Sequence, residues 1–267
     1  MDAVIKETVE RIENKLYSLK TSGRVVLSVI VNPANRSDLS YLKQLQKESA
    51  KYGIEIEPSY CQDWIEAFDA VRKNKNISYI YGIMIISKYE SIVSMPCYCD
   101  VDAQSKEWQY RTYSCNNLKE ICEYAPCTAI AAYEVIKTIY PEGVQGKNIA
   151  VLGRSDKVGK PLAHILTCAD ATVTLFHSKS NLPKDRFENY DIICSAIGVP
   201  KFLNSNNVFP NRTIIDIGIN VDKDNKVCGD CDYESLVGIA NYVTPVPKGV
   251  GNITTLIAFL RVLERAS

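Results

Sequence analysis

Residues 151–166 read VLGRSDKVGKPLAHIL: a short apolar run, a polar turn carrying two glycines, and a proline that opens a second apolar run. A strand that reverses into a helix within so few residues needs backbone freedom and close approach, which Gly153 and Gly159 supply. Pro161 suits the first helical turn, where its missing N–H is one the helix would leave unpaired in any case. The unpaired N–H groups and the dipole at such a helix start favour an anion, and a pyrophosphate is the anion of interest here. The spacing is Gly-x5-Gly and not G-x-G-x-x-G, so a tight turn with no ligand is the competing reading. In NAD-binding domains an acid about 20 residues beyond the first glycine takes the ribose hydroxyls, whereas cationic or polar groups accommodate the 2′-phosphate of NADP. Here that stretch ends FHSKS, with no acid, and Lys179 and Arg154 are cationic. The balance leans to NADP, with a solvated loop as the alternative.

The elements that position this turn follow from hydrophobic periodicity. The first part reads as a helix over 4–19, a strand over 24–31, a helix over 39–52, a strand after Gly53, a helix over 63–73 and an apolar strand over 81–86. Over 87–125 the pattern dissolves into a stretch rich in cysteine and tyrosine. From Pro126 onward, helices over 128–139 and 161–168 alternate with the runs NIAVLG, TVTLFH, DIICSAI, TIIDIGI and YVTPV, which suits a parallel sheet covered on both faces. An amphipathic helix over 254–266 ends the chain. The expected architecture is α/β with two lobes. An N-terminal α/β lobe, 1–125, is completed by 252–267, and a Rossmann-like parallel-sheet domain spans 126–251, with the C-terminal helix returning to the first lobe.

Composition narrows the partners. Thirty-one basic and 31 acidic side chains balance within 267 residues, so no global field draws nucleic acid or an anionic membrane, and a small molecule is the expected ligand. The first residues have no signal-peptide core and no run of about 18 apolar residues occurs, so a soluble, cytoplasmic protein is expected. Its ten cysteines are then expected to stay reduced. Cys97 with Cys99, and Cys228 with Cys231, have the closest spacings; neither histidine lies near them, and ordinary thiols are favoured over a metal site.

The turn is joined by APCTAIAAYEVIK (125–137), IIDIGIN (214–220), VCGDCDY (227–233) and TPVPKGVGNITTLIAFL (244–260). In order and spacing this set resembles the methylenetetrahydrofolate dehydrogenase/cyclohydrolase family, closely in the C-terminal half and more loosely over 25–102. The resemblance implies that 5,10-methylenetetrahydrofolate lies between two lobes and gives a hydride to NADP, and that the Rossmann lobes pair in a homodimer. It implies that Gly153, Arg154, Ser155, Val158, Gly159 and Pro161 form the dinucleotide turn, with His177, Ser178 and Lys179 near the adenosine phosphate. Ile219 and Thr254 would lie close to the nicotinamide. The stretch 245–251, with Pro245, Gly249 and Gly251, would shape the substrate mouth, a structural hinge being the alternative.

The N-terminal lobe departs from the family. Bifunctional members carry a tyrosine followed four residues later by a lysine; Tyr41 fills the first place and Leu45 the second. On a helix these lie roughly 40° apart, whereas Lys43 and Lys47 point about 160° away from Leu45. Ile86 stands where the family's supporting glutamine would be. Asp102, in a surviving DVD followed by Ala103 in place of glycine, is the implied partner of the pterin, with a surface carboxylate as the alternative. Hydride transfer needs no protein proton acceptor, whereas hydrolysis of the methenyl product is served by a tuned lysine. The expectation is a dehydrogenase with weak or absent cyclohydrolase activity, like the family's monofunctional branch, which also contains NAD users. Against it stand a bifunctional enzyme using Lys88 or Lys106, a non-catalytic binder of dinucleotide or folate, and a dehydrogenase of another, shikimate-like acid.

Overall fold

In the run VVLSVIV every residue is buried, as the middle strand of a covered parallel sheet requires. Its one polar side chain, Ser28, accepts a hydrogen bond from Asn74 Nδ2 at 2.8 Å, so no buried hydroxyl is stranded. The computed structural model describes residues 2–90, 95–182, 187–223 and 226–267. It divides into two compact units, residues 11–111 with 255–267 and residues 1–10 with 112–254.

The N-terminal unit (11–111, 255–267) follows helix α1 (Ala3–Ser18) with strand β1 (Val25–Val31), helix α2 (Arg36–Ser49), strand β2 (Ile54–Tyr60), helix α3 (Trp64–Asn74) and strand β3 (Ile80–Ile85). The strands form a parallel sheet in the order β2-β1-β3. Gly82 admits a close neighbour: a Cβ there would lie 2.3 Å from Val101 Cγ2. That neighbour belongs to the segment after β3, where Val101 N donates to Ile83 O at 3.1 Å.

In the central unit the chain continues through α4 (Lys106–Ser114), which enters it at residue 112, α5 (Leu118–Tyr124), α6 (Cys127–Ile139), β4 (Asn148–Leu152), α7 (Gly159–Cys168), β5 (Thr172–Phe176), β6 (Ile192–Ser195) and β7 (Thr213–Asp216). A two-stranded ribbon of β8 (Asn220–Val221) and β9 (Val227–Cys228), then α8 (Tyr233–Leu236), β10 (Tyr242–Val243) and the first turn of α9 (Val250–Ala266) complete it. The sheet runs β10-β7-β6-β4-β5, all parallel. Registration aligns Phe176, Leu152, Ser195 and Asp216 across four neighbouring strands. Four strand ends therefore finish in one row, and the residues after them form one lip at the carboxyl edge, where open α/β sheets bind ligands.

The two-lobed α/β architecture and the Rossmann-like parallel sheet are as expected. Residues 255–267 of α9 group with the N-terminal unit. There Arg261 Nη1 donates to Val101 O and Arg265 Nη2 to Asp100 O, each at 2.7 Å. Residues 112–125 and 1–10 group with the central unit, held by His164 Nε2 and Cys115 O at 3.2 Å and by Tyr242 OH donating to Asp2 at 2.6 Å. The stretch read as patternless contains α4 and α5. Trp108 and Thr112 are the buried residues of α4 and Ile121 that of α5, which leaves little apolar periodicity to read. Strand β7 stops at Asp216 instead of continuing to Ile219, because the Asp216 carboxylate accepts the N–H of Gly218.

Candidate active site

The turn between β4 and α7 is built by its glycines. Gly153 has φ +108, and a Cβ on it would lie 2.4 Å from the carbonyl oxygen of Ala196. A Cβ on Gly159 would lie 1.9 Å from the Gly153 carbonyl oxygen. The backbone thus folds onto itself where any side chain would collide. Ser155 Oγ accepts from Val158 N at 3.2 Å, which tightens the loop. Val158, the residue before α7, makes no side-chain cap and no acid stands in the first turn of the helix, while Asp156 in the loop pairs with Lys160 at 2.7 Å.

A cavity of about 520 Å³ opens at this lip. Gly153, Arg154, Ser155, His177 and Ser178 line it together with Ala196, Ile197, Val199 and Phe202, and none of its lining residues is acidic. Lys179, Val158 and Gly159 are not among them. Lys179 is exposed, and its backbone N–H donates to His177 Nδ1 at 3.2 Å, while His177 N donates to Ser180 Oγ at 3.0 Å. A glycine cradle, an uncapped helix start, a guanidinium and hydroxyls beside apolar side chains fit the phosphates and the flat base of a dinucleotide.

Ile219 lies beyond β7 and is 69% exposed. Its Cδ1 would be 3.9 Å from a Cβ on Gly251, so Ile219 and the first turn of α9 border the same space. Thr254, one turn further along α9, donates from Oγ1 to Val250 O at 3.1 Å. Before the helix, Gly249 packs so closely that a Cβ would meet the Pro245 carbonyl oxygen at 2.2 Å, and Lys248 has φ +75.

Two buried carboxylates that sequence reasoning had not singled out support this lip. Asp216 accepts N–H groups from Gly218, Asp230 and Cys231 at 3.1, 3.0 and 2.8 Å. Burial pushes its carboxyl up to about 6 despite those bonds. Asp230 accepts from Ser195 Oγ, Ile197 N, Val199 N and Asn220 Nδ2 at 2.9, 2.8, 3.0 and 2.9 Å. Adjacent glycines were the available signal: a Cβ on Gly218 would lie 2.1 Å from Asp230 Oδ1, and one on Gly229 1.9 Å from Asp216 Oδ2.

In the N-terminal unit, Tyr41 is half-buried on α2 and Leu45 is fully buried, with Lys43 and Lys47 exposed. Ile86 is half-buried, and Lys88 and Lys106 are exposed. Asp102 is half-buried and accepts from Gln104 Nε2 at 3.3 Å. Its neighbour Asp100 is fully buried, takes the Ser105 N–H at 2.6 Å, and is pushed by burial up to about 6. Ala103, in the place of the family's glycine, has φ +54, a left-handed conformation that glycine adopts more easily. Among the described residues no group of three His, Cys, Asp or Glu side chains could hold a metal, and no helix is long and apolar enough to cross a membrane.

Residues 126–267 match the tetrahydrofolate dehydrogenase/cyclohydrolase family in its NAD(P)-binding domain. The bifunctional protein FolD of Picrophilus torridus is 33% identical over 267 residues, covering 96% of this chain and 93% of that protein. The bifunctional FolD methylenetetrahydrofolate dehydrogenase/cyclohydrolase of Campylobacter jejuni superposes with a TM-score of 0.84 at 25% identity, over 99% of this chain and 96% of that one. The bifunctional 5,10-methylenetetrahydrofolate dehydrogenase/cyclohydrolase of Thermoplasma acidophilum gives 0.80 at 27% identity, with 99% and 96% covered. With this agreement along nearly its whole length, the chain belongs to the tetrahydrofolate dehydrogenase/cyclohydrolase family.

Proposed function

We propose that this chain oxidises 5,10-methylenetetrahydrofolate to 5,10-methenyltetrahydrofolate with NADP as acceptor, NAD being the alternative, and that its cyclohydrolase activity is weak or absent. The observation that carries the proposal is Leu45, fully buried on α2 at the place where the bifunctional pattern has lysine. When bound, the dinucleotide supplies a hydride acceptor. A methylene C–H bond of the substrate breaks with its electron pair, and the neighbouring nitrogen lone pair closes to a C=N bond, so the product is a cation. No protein group needs to take a proton in that step, and positioning is the chain's main contribution. Hydrolysis of the product needs an attacking water and proton movement, which leucine cannot assist.

In this reading Gly153, Arg154, Ser155, Val158, Gly159, His177, Ser178 and Lys179 address the dinucleotide phosphates and ribose, and Ile219 and Thr254 lie beside the nicotinamide. Tyr41 and Asp102 address the pterin, and Pro245, Gly249 and Gly251 shape the approach to it. The N-terminal lobe, 1–125 with 252–267, carries the folate side and 126–251 the dinucleotide side. The working form is a cytoplasmic homodimer without a nucleic-acid or membrane partner. The acid-free cavity supports the preference for NADP. The test is an absorbance assay for reduced nicotinamide on adding methylenetetrahydrofolate with either dinucleotide. Reduction is expected with both and faster with NADP; reduction of neither overturns the proposal.

A further inference from the structure

Asp230 sits outside the dinucleotide cavity, yet it holds one segment that lines it and a second segment beside Ile219. Strand β6 ends at Ser195, and the chain then passes through Ala196, Ile197, Gly198 and Val199; Ala196 lines the cavity, as do Ile197 and Val199. Both their N–H groups turn away from it to the Asp230 carboxylate, with Gly198 at φ +69 between them. The same carboxylate takes Asn220 Nδ2, one residue beyond the exposed Ile219. Its own N–H is held by Asp216, at the end of β7. One fully buried side chain therefore ties the loop after β6 to the start of β8.

We infer that Asp230 is a positioning residue for the dinucleotide: it sets the apolar wall of Ile197 and Val199 and the backbone beside Ile219 at one fixed separation. The inference rests on the dinucleotide reading proposed above. Its chemistry requires a carboxylate. Four donors converge on two oxygens, and an amide would turn an NH₂ group toward at least one N–H. The affected ligand is the whole dinucleotide, because both tied segments border its expected path in the central unit.

The test is equilibrium binding of NADPH to the full chain, followed by nicotinamide fluorescence, with Michaelis constants measured in parallel. Asp230→Asn is expected to raise the NADPH dissociation constant about tenfold, the size of one lost hydrogen bond to a charged acceptor. The KM for methylenetetrahydrofolate should stay within about twofold. Adding Asn220→Asp gives the new amide at 230 an acceptor, and the double variant should recover at least about threefold of the lost affinity. If Asp230→Asn does not fold, Asn220→Ala removes one donor and keeps the carboxylate, and is expected to weaken NADPH about threefold. A folded Asp230→Asn, or in its place Asn220→Ala, that binds NADPH as wild type does overturns the inference and leaves the proposed function standing. A wild-type chain that binds no dinucleotide overturns both.

Discussion

Arg261 Nη1 donates to the carbonyl of Val101 at 2.7 Å, and Val101 is the residue between Asp100 and Asp102. The guanidinium also stacks 4.9 Å over the Trp108 ring, with Arg265 at 5.5 Å. Trp108 Nε1 in turn donates to Cys97 O at 2.6 Å. The C-terminal helix thus fixes the backbone that presents Asp102, by a charged donor on a buried carbonyl.

Arg261→Met keeps most of the apolar stem and removes that donor. Urea unfolding should show a loss of about 2 kcal/mol, within the range for buried hydrogen bonds to charged groups. The KM for methylenetetrahydrofolate should rise more than that for NADP. An unchanged unfolding midpoint would mean that the Val101 tie contributes nothing.

Asp100 gives a pH dependence of definite sign. Burial raises its carboxyl from 3.8 to about 6 in the folded chain. Between those values the folded chain keeps a proton that the unfolded chain has released. The group's contribution to stability is therefore full below the unfolded value and is lost as pH rises through about 6. Asp216 acts in the same window. Asp100→Asn should show a smaller fall in melting temperature from about pH 4 to about pH 7 than wild type does. An equal fall in both proteins would remove Asp100 as a cause.

Arg154 lines the cavity from the turn after β4. Arg154→Ser should raise the KM for NADP about tenfold or more, the loss of a charge-assisted contact to the 2′-phosphate. The KM for NAD should move less than about threefold. Equal changes for both dinucleotides would assign Arg154 to the shared pyrophosphate instead.

Gly153 and Gly143 separate backbone strain from collision. Both have positive φ, +108 and +96, but only Gly153 has a carbonyl oxygen where a Cβ would go. Gly143→Ala should cost about 1–2 kcal/mol and leave NADPH binding intact. Gly153→Ala should cost about 3 kcal/mol or more and abolish binding. Similar losses at both positions would mean that the contact with Ala196 yields freely.

The parts of the fold legible in the sequence were those whose signal is local. Continuous apolar runs such as Val25–Val31 announced buried parallel strands, and the two glycines with Pro161 announced the turn. Helices α4 and α5 were not legible, although Asn117 caps α5 by accepting from Lys119 N at 2.9 Å; one buried side chain on that helix is too few for a period. Asp216 and Asp230 were hidden for another reason. Their partners are mostly backbone N–H groups, which no residue type advertises, so each acid read as unremarkable. Arg261 and Arg265, one turn apart near the end of α9, were visible but unassigned, since only the fold brings them to Val101 and Asp100.

The central proposal is that this chain is a dehydrogenase whose cyclohydrolase activity is weak or absent, and turnover of 5,10-methenyltetrahydrofolate by the purified chain, set beside its dehydrogenase rate, tests it most directly. With Leu45 buried where the bifunctional pattern has lysine, the hydrolysis rate is expected to fall about a hundredfold or more below dehydrogenation, the scale of lost acid–base assistance. Hydrolysis at a rate comparable with dehydrogenation would contradict the account.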